Sequence, residues 1–180
     1  CGPLSYRTKM TRHTASLLLA FTLMFGAGSV RAQQALVRWA YGPLARPGDA
    51  AFVVEGGAIH TASGPFGTRG PCVYLIEGDR VFRSADGNWA RGECAYILDG
   101  PGLVHASGPM CSRGPCALVA DGPAVFRSDG AFCSKAEAAF RIEGNAVFLA
   151  DGAFARKGDA ILVIEGELSP AALLVILAAM

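Results

Sequence analysis

The residues with the clearest capacity for chemistry in this chain of 180 residues are its cysteines. Five lie beyond residue 32, namely Cys72, Cys94, Cys111, Cys116 and Cys133. Exported proteins hold such cysteines as structural disulfides, and an odd number leaves one thiol free or paired between chains. We therefore expect structural disulfides here. The pairing stays open, because a parallel stack of repeats would join cysteines at equivalent positions, whereas adjacent antiparallel strands would join pairs such as Cys111 with Cys116.

Catalysis and metal binding find less support in the sequence. His60 and His105 each precede a Ser-Gly-Pro segment, which is typical of a turn. A nucleophile such as Ser107 would need an oriented base and a nucleophile elbow, and no such motif is present. The spacing of Cys111 and Cys116 is similar to that of a zinc-ligand pair, but no second pair of ligands matches it. We predict no catalytic residue, no metal site and no cofactor, and therefore a protein that is not an enzyme.

The cysteines and histidines belong to six tandem units of 22 residues. An acidic residue followed by glycine closes every unit, and such a fixed period is the signature of a repeat architecture. The units run 35–56, 57–78, 79–100, 101–122, 123–144 and 145–166. The closing acids are Glu55, Glu77, Asp99, Asp121, Glu143 and Glu165. The third position of the unit is always aliphatic, the eighteenth is always large and apolar, and a base stands at the thirteenth in the second to sixth units.

Turn signals divide each unit into short runs that are rich in β-formers, so we predict an all-β protein. Two architectures fit, an array of antiparallel hairpins and a parallel β-solenoid with one unit per coil. An in-register parallel stack would place the acids in a column about 4.8 Å apart, at a cost on the order of 1 kcal/mol per like-charge contact. Hairpins relax that repulsion, so the hairpin array is favoured. A solenoid would need cations such as calcium along the acid column.

Aromatic residues also recur with the unit. They are Phe66, Phe132 and Phe154, together with Phe82, Phe126 and Phe148. Packing in the core is the simplest interpretation. The alternative is a row of shallow binding sites, because a short hairpin unit with an aromatic residue and a glycine resembles the repeats of bacterial cell-wall-binding modules. That resemblance implies binding to an envelope polymer.

The two ends of the chain differ from the repeats. Residues 1–9 precede a methionine and are interpreted as an upstream or non-native leader. Residues 10–32 combine a basic start, an apolar run and small residues before Ala32, which predicts a signal peptide. Residues 33–166 form the repeat domain. In residues 167–180, Ser169 and Pro170 begin a short apolar helix, which is expected either to cap the last unit or to be a truncated membrane anchor that gives membrane contact.

The net charge of the chain and its predicted compartment limit the functions that it can have. A signal peptide implies a periplasmic or secreted location. Residues 33–180 carry 12 basic and 15 acidic residues, a net charge of −3, which argues against nucleic acid as a partner. We expect an exported bacterial repeat protein with a structural or binding role at the cell envelope, its ligand unknown and its partner an envelope polymer or a protein. The alternatives are a small secreted enzyme or enzyme inhibitor acting through loops, and a calcium-stabilised solenoid.

Overall fold

The structure is a computed structural model that describes residues 34–128 and 130–180, so the predicted leader and signal peptide lie outside the described residues. Each 22-residue unit contributes two strands. The strands are β1 Gln34–Tyr41, β2 Arg46–Glu55, β3 Ala58–Ser63, β4 Thr68–Glu77, β5 Arg80–Ser84, β6 Arg91–Asp99, β7 Gly102–Ser107, β8 Ser112–Asp121, β9 Ala124–Ser128, β10 Lys135–Glu143, β11 Ala146–Asp151 and β12 Arg156–Gly166. One helix, α1 Pro170–Ala178, follows them.

The twelve strands form one antiparallel sheet that closes into a barrel, because β12 pairs with β1. The prediction of antiparallel hairpins is confirmed. The parallel solenoid is wrong, and so is the open array, since the closed sheet leaves no unpaired edge. The last junction has the same register as the others: Leu36 lies opposite Glu165, as Ala58 lies opposite Glu55. The six units are therefore related by an approximate sixfold rotation about the barrel axis.

Closure rests on an irregularity that recurs once in every unit. The pairing of the two strands within a unit always contains a register shift, for example around His60 in the second unit. The pairing between units contains none. A β-bulge bends its strand and increases the local twist, and such regularly placed bulges supply the curvature that closes a sheet. The sequence period therefore sets the curvature as well as the strand length.

The lumen of the barrel is a packed apolar core. The third residue of every unit is fully buried there, namely Val37, Ile59, Val81, Leu103, Val125 and Val147. Residues 172–177 of α1 are buried in the same cluster. A helix that is apolar on every face requires apolar surroundings on every side, and the barrel wall provides them. The helix fills the lumen rather than covering the end of an array, so this apolar segment is enclosed by protein.

The start of the helix is specified locally. Ser169 is the N-cap, and its hydroxyl oxygen accepts a hydrogen bond from the backbone N–H of Ala172 at 3.2 Å. Pro170 occupies the first turn, where its missing N–H has no consequence. Among the described residues, no helix has the length and apolar character needed to cross a membrane.

Truncating the lumenal helix should destabilise the barrel. We predict that Ile176→Ala, at a side chain only 1% exposed, lowers the free energy of unfolding by about 2–5 kcal/mol because it leaves a cavity. Met180→Ala, at a side chain 50% exposed, is the control and should change it by less than about 0.5 kcal/mol. Denaturant unfolding followed by circular dichroism measures both. Equal effects of the two substitutions would contradict the placement of the helix.

Candidate functional site

The loops that join the two strands of each unit fold back onto the outer wall of the preceding unit. The residue at the eleventh position takes a positive φ in all six loops, although only Gly67 among them is a glycine. In the sixth loop, Ala155 packs on Ala124 and Ala138 of the fifth unit. In the first loop, Gly42 accepts a hydrogen bond from the backbone N–H of Ala160 at 3.2 Å, so the first unit is held against the last.

Two of these loop contacts are covalent. Cys94 is bonded to Cys111 and Cys116 to Cys133, each pair separated by 17 residues, with Cα–Cα distances of 5.2 and 5.1 Å. Neither pairing considered from the sequence is formed, because the sixteenth position of one unit meets the eleventh position of the next. Among the described cysteines, Cys72 is left with a free thiol. The two disulfides are compatible with an oxidising extracellular or periplasmic location.

A ring of ion pairs surrounds the outer wall. The acid that closes each of the first five units pairs with the base at the thirteenth position of the next unit, 14 residues on, as Glu55 does with Arg69 at 3.1 Å. The other four pairs are Glu77–Arg91, Asp99–Arg113, Asp121–Lys135 and Glu143–Lys157. Glu165 completes the ring with Arg38 of the first unit at 2.8 Å. The acids are thus neutralised by protein side chains, so calcium ions are not needed to offset their charge.

The bases of this ring also cover aromatic side chains. The Arg91 guanidinium lies 3.8 Å from the centre of the Phe82 ring, and Lys157 Nζ lies 3.8 Å from that of Phe148. Both rings are buried although they face outwards. The bases therefore shield small apolar clusters on the outer wall and make cation–π contacts with them. For Phe82 and Phe148, packing in a core is the correct interpretation.

The other aromatic set has the opposite environment. Phe66, Phe132 and Phe154 are 93%, 93% and 88% exposed. They occupy the tenth position of the unit, at the tip of the loop, and Leu44 and Met110 occupy it in the first and fourth units with exposures of 78% and 82%. Packing of these residues in the core is wrong. We call the six residues at this position, Leu44, Phe66, Asn88, Met110, Phe132 and Phe154, the tip ring.

The tip ring is an unusual surface for a folded protein. Because the six units share one register around the axis, equivalent tips lie at one height on one rim of the barrel. A barrel of twelve strands has a circumference of roughly 75 Å, so neighbouring tips are on the order of 12 Å apart. Five of the six are large and apolar. Single exposed apolar residues are common, but a regular set of them on one rim marks an interaction surface.

The barrel mouth inside this rim contains the residues that the sequence analysis considered for catalysis. Arg127 and His105 line the mouth beside Leu177 and Met180 at the end of the helix. The His105 ring lies 5.3 Å from that of Tyr96, and burial raises the pKa of the Tyr96 hydroxyl. Ser107 ends β7 at the surface. Cys111 is in a disulfide and so offers no thiol nucleophile.

The opposite mouth holds an apolar cavity of about 500 Å³ between the helix and the wall. Val125, Ile142, Ile164 and Leu173 contribute to its lining. The amide of Asn145, also in the lining, already donates to the carbonyl of Ile164 at 3.3 Å. Ligand pockets of this size are mainly apolar and carry a small number of placed polar groups, and the polar side chains in this lining are those of Asn145 and Glu167.

The second unit holds an unusual pair of residues on the outer wall. His60 is 2% exposed, and neither of its ring nitrogens has a hydrogen-bond partner among the described residues. Cys72 lies opposite it in the strand register. Burial raises the pKa of the Cys72 thiol, and hydrogen bonds from Ser84 and from the Trp89 backbone oppose that rise. Sequence analysis could have suggested this pair, because it is the only place where a cysteine at the sixteenth position faces a histidine at the fourth.

Comparison with known proteins identifies no relative: no protein-family model, no curated protein and no solved structure matches this chain. Nor do the described residues include a group of three or more His, Cys, Asp or Glu side chains placed to hold a metal ion. The tip ring and the His60–Cys72 pair are therefore the two features on which functional inference rests.

The buried thiol should react slowly in the folded protein. The thiolate is the reactive form, and both burial and the raised pKa of Cys72 reduce its population. We predict that Trp89→Ala, which removes the side chain lying over this part of the wall, speeds alkylation of Cys72 by about tenfold or more. Mass spectrometry after timed iodoacetamide treatment gives the rate, and Trp39→Ala is the control. Equal rates in the wild type and the Trp89 variant would show that Trp89 does not cover the thiol.

One member of the ion-pair ring offers a test by titration. The pKa of the Glu143 carboxyl is lowered by hydrogen bonds from Lys157 and then from Arg141. We predict that Lys157→Met raises this pKa towards the ordinary value, as followed by NMR of the carboxyl carbon. Because the folded-state pKa is depressed, the stabilisation is present above the unfolded-state pKa and is lost as the pH falls through the folded-state pKa. An unchanged pKa in Lys157→Met would refute the pairing.

Proposed function

We propose that this protein is an exported, non-enzymatic repeat protein of the bacterial cell envelope that binds a lipid surface through its tip ring. One observation carries the proposal: five equivalent loops on one rim each hold a large apolar side chain almost wholly in solvent. Burial in the core explains none of these five side chains. The short loop segments that carry them, such as Gly-Pro-Phe-Gly, contain no second apolar residue of that size.

The spacing of the tips favours a lipid surface over a macromolecule. Tips on the order of 12 Å apart do not merge into one apolar patch, so a protein partner would need a matching pocket for each. A bilayer interface is continuous and fluid, and it accepts several separate side chains in one plane without matching pockets. Phenylalanine and leucine are among the side chains that peripheral segments bury at this interface. Coplanar tips are therefore suited to simultaneous shallow insertion.

The energetics agree with reversible binding. Fully burying one such side chain contributes about 1.5–3 kcal/mol, and five contribute roughly 7–15 kcal/mol as an upper bound. The loss of translational and rotational freedom offsets a large part of that gain. Residues 33–180 carry a net charge of −3, so attraction to anionic headgroups adds little. Binding should therefore depend on apolar insertion and change little with salt.

Asn88, the polar tip of the third unit, offers a matched pair of variants. We predict that Phe132→Ser weakens binding to phosphatidylcholine vesicles about tenfold or more, since 1.4 kcal/mol corresponds to a factor of ten. The triple variant Phe66→Ser, Phe132→Ser, Phe154→Ser should lose binding. Asn88→Ser, at the one polar tip, should change nothing, and Asn88→Phe should strengthen binding. Vesicle flotation at low and high salt measures all four.

The same assay separates the alternatives. Pelleting with isolated cell-wall sacculi but not flotation with vesicles would make an envelope polymer the partner and would refute the lipid proposal. Binding to neither would leave a diffusing partner and favour the enzyme-inhibitor alternative. Vesicle binding that is equally strong in the triple variant would show that another surface of the barrel makes the contact.

A further inference from the structure

The His60–Cys72 pair has the placement of two ligands. The two residues are direct partners in the register of β3 and β4, at the bulge of the second unit. Residues opposite each other on antiparallel strands have Cβ atoms about 4.5–5.5 Å apart and side chains on the same face. Both side chains are buried on the outer wall, at 2% and 3% exposure. The two potential ligand atoms, the Cys72 sulfur and a ring nitrogen of His60, therefore belong to opposed side chains on one face of the sheet.

The chemistry of His60 is otherwise unexplained. A buried imidazole with two unpartnered nitrogens costs free energy, and its only ring contact among the described residues is Trp89, with centroids 5.4 Å apart. The free thiol of Cys72 also lies against Trp89 and Ser84. Its Sγ contacts the Tyr74 carbonyl oxygen at 3.4 Å, which is a weak interaction. The ring nitrogens of His60 thus have no hydrogen-bond partner among the described residues, and Cys72 has only the weak hydrogen bonds of a thiol.

Comparison of the units shows that the histidine accompanies the free thiol. Cys94 and Cys116 occupy the position of Cys72 in the next two units, and both are in disulfides. The residues opposite them are Phe82 and Val104, which are apolar. Only where the cysteine keeps its thiol does the opposite residue offer a nitrogen ligand. Packing alone would be satisfied by phenylalanine or valine at this position, as it is in the third to sixth units.

We propose that Cys72 and His60 form a two-coordinate site for a soft monovalent cation, with Cu(I) as the expected metal and Ag(I) as its mimic. Thiolate and imidazole are ligands that such ions favour. The thiol releases its proton to solvent as the sulfur–metal bond forms, so thiolate and cation together are neutral. A neutral unit is compatible with burial in apolar surroundings, whereas a divalent ion would leave a net positive charge.

Distance and coordination number support the same class of metal. Zinc–sulfur and zinc–nitrogen bonds are about 2.3 and 2.0 Å long. Bonds of similar length to a two-coordinate ion would place sulfur and nitrogen about 4 Å apart, which is compatible with opposed side chains on adjacent strands. Structural zinc takes four ligands, and no cluster of three or more candidate ligands exists within the described residues. Trp89, which is 46% exposed, lies over the pair and would limit access of water to the bound ion.

Silver titration tests this site without a reductant, so both disulfides remain intact. We expect the purified protein, with its disulfides formed, to bind one equivalent of Ag(I) in calorimetry. Binding should shift the NMR signals of the His60 ring. Cys72→Ala should abolish this binding. His60→Phe should weaken it by more than the ten- to hundredfold that loss of an outer-shell partner typically costs.

His60→Phe is a suitable variant because phenylalanine already stands at the equivalent position in three units, at Phe82, Phe126 and Phe148. Its fold is checked by circular dichroism and by the count of one free thiol. His105→Phe is the matched control and should bind Ag(I) as the wild type does. Anaerobic titration with Cu(I) against a chromophoric chelator should rank the variants in the same order.

Two results would overturn the proposal. Affinity for Ag(I) that is the same in His60→Phe and the wild type would show that the thiol binds alone. Failure of the folded wild type to bind a stoichiometric ion would show that the pair is packing only. Neither result depends on the tip ring, so the site and the lipid proposal stand or fall separately.

Discussion

The constraint on which this structure depends is one register repeated at six junctions. The closing acid of a unit lies opposite the second residue of the next unit at the first junction, and the sixth junction, between Glu165 and Leu36, repeats that pairing. Once the last unit meets the first in that register, the sheet has no edge. The loops, the ion pairs and the disulfides then follow as contacts between neighbouring units. A single slipped junction would turn every later side chain to the other face.

The sequence predicts the elements of this fold better than their assembly. Turn signals and β-rich runs correctly indicate antiparallel hairpins, because those preferences are local. Closure is not local: it depends on one bulge per unit accumulating over twelve strands. The short apolar helix itself is predicted correctly, but its place inside the barrel is not, since residues 170–178 look alike as a cap, an anchor or a lumenal core until the lumen exists. Their uniform apolarity was the available signal, as such a helix must be surrounded.

Single residues of the candidate sites also show that the sequence predicts local features better than their placement in the fold. Phe66 and Phe82 both recur with the unit, yet one is 93% and the other 1% exposed. Their periodicity is identical, so the sequence alone does not separate a tip from a wall residue. What separates them is the neighbouring structure: Phe82 lies beneath Arg91, whereas Phe66 is carried beyond the wall by a turn of the form Gly-Pro-Phe-Gly. The position of a residue in the unit identifies its equivalents in the other units. Only the folded structure shows whether its side chain points into solvent or packs on the wall.

The third unit departs from the repeat at its loop, and that departure bears on both inferences. The third loop replaces an apolar tip with Asn88 and turns Trp89 onto the wall of the second unit, against His60. In the next loop the eleventh position holds Cys111, which bonds to Cys94, whereas Trp89 leaves Cys72 as a thiol. This loop therefore lacks an apolar tip and a cysteine at the eleventh position, and it covers a histidine and a cysteine instead. A purely structural ring has no need of such an exception, because the regular unit already closes the barrel. The exception is best explained by a local role for the pair it covers, distinct from the surface that the other five loops present.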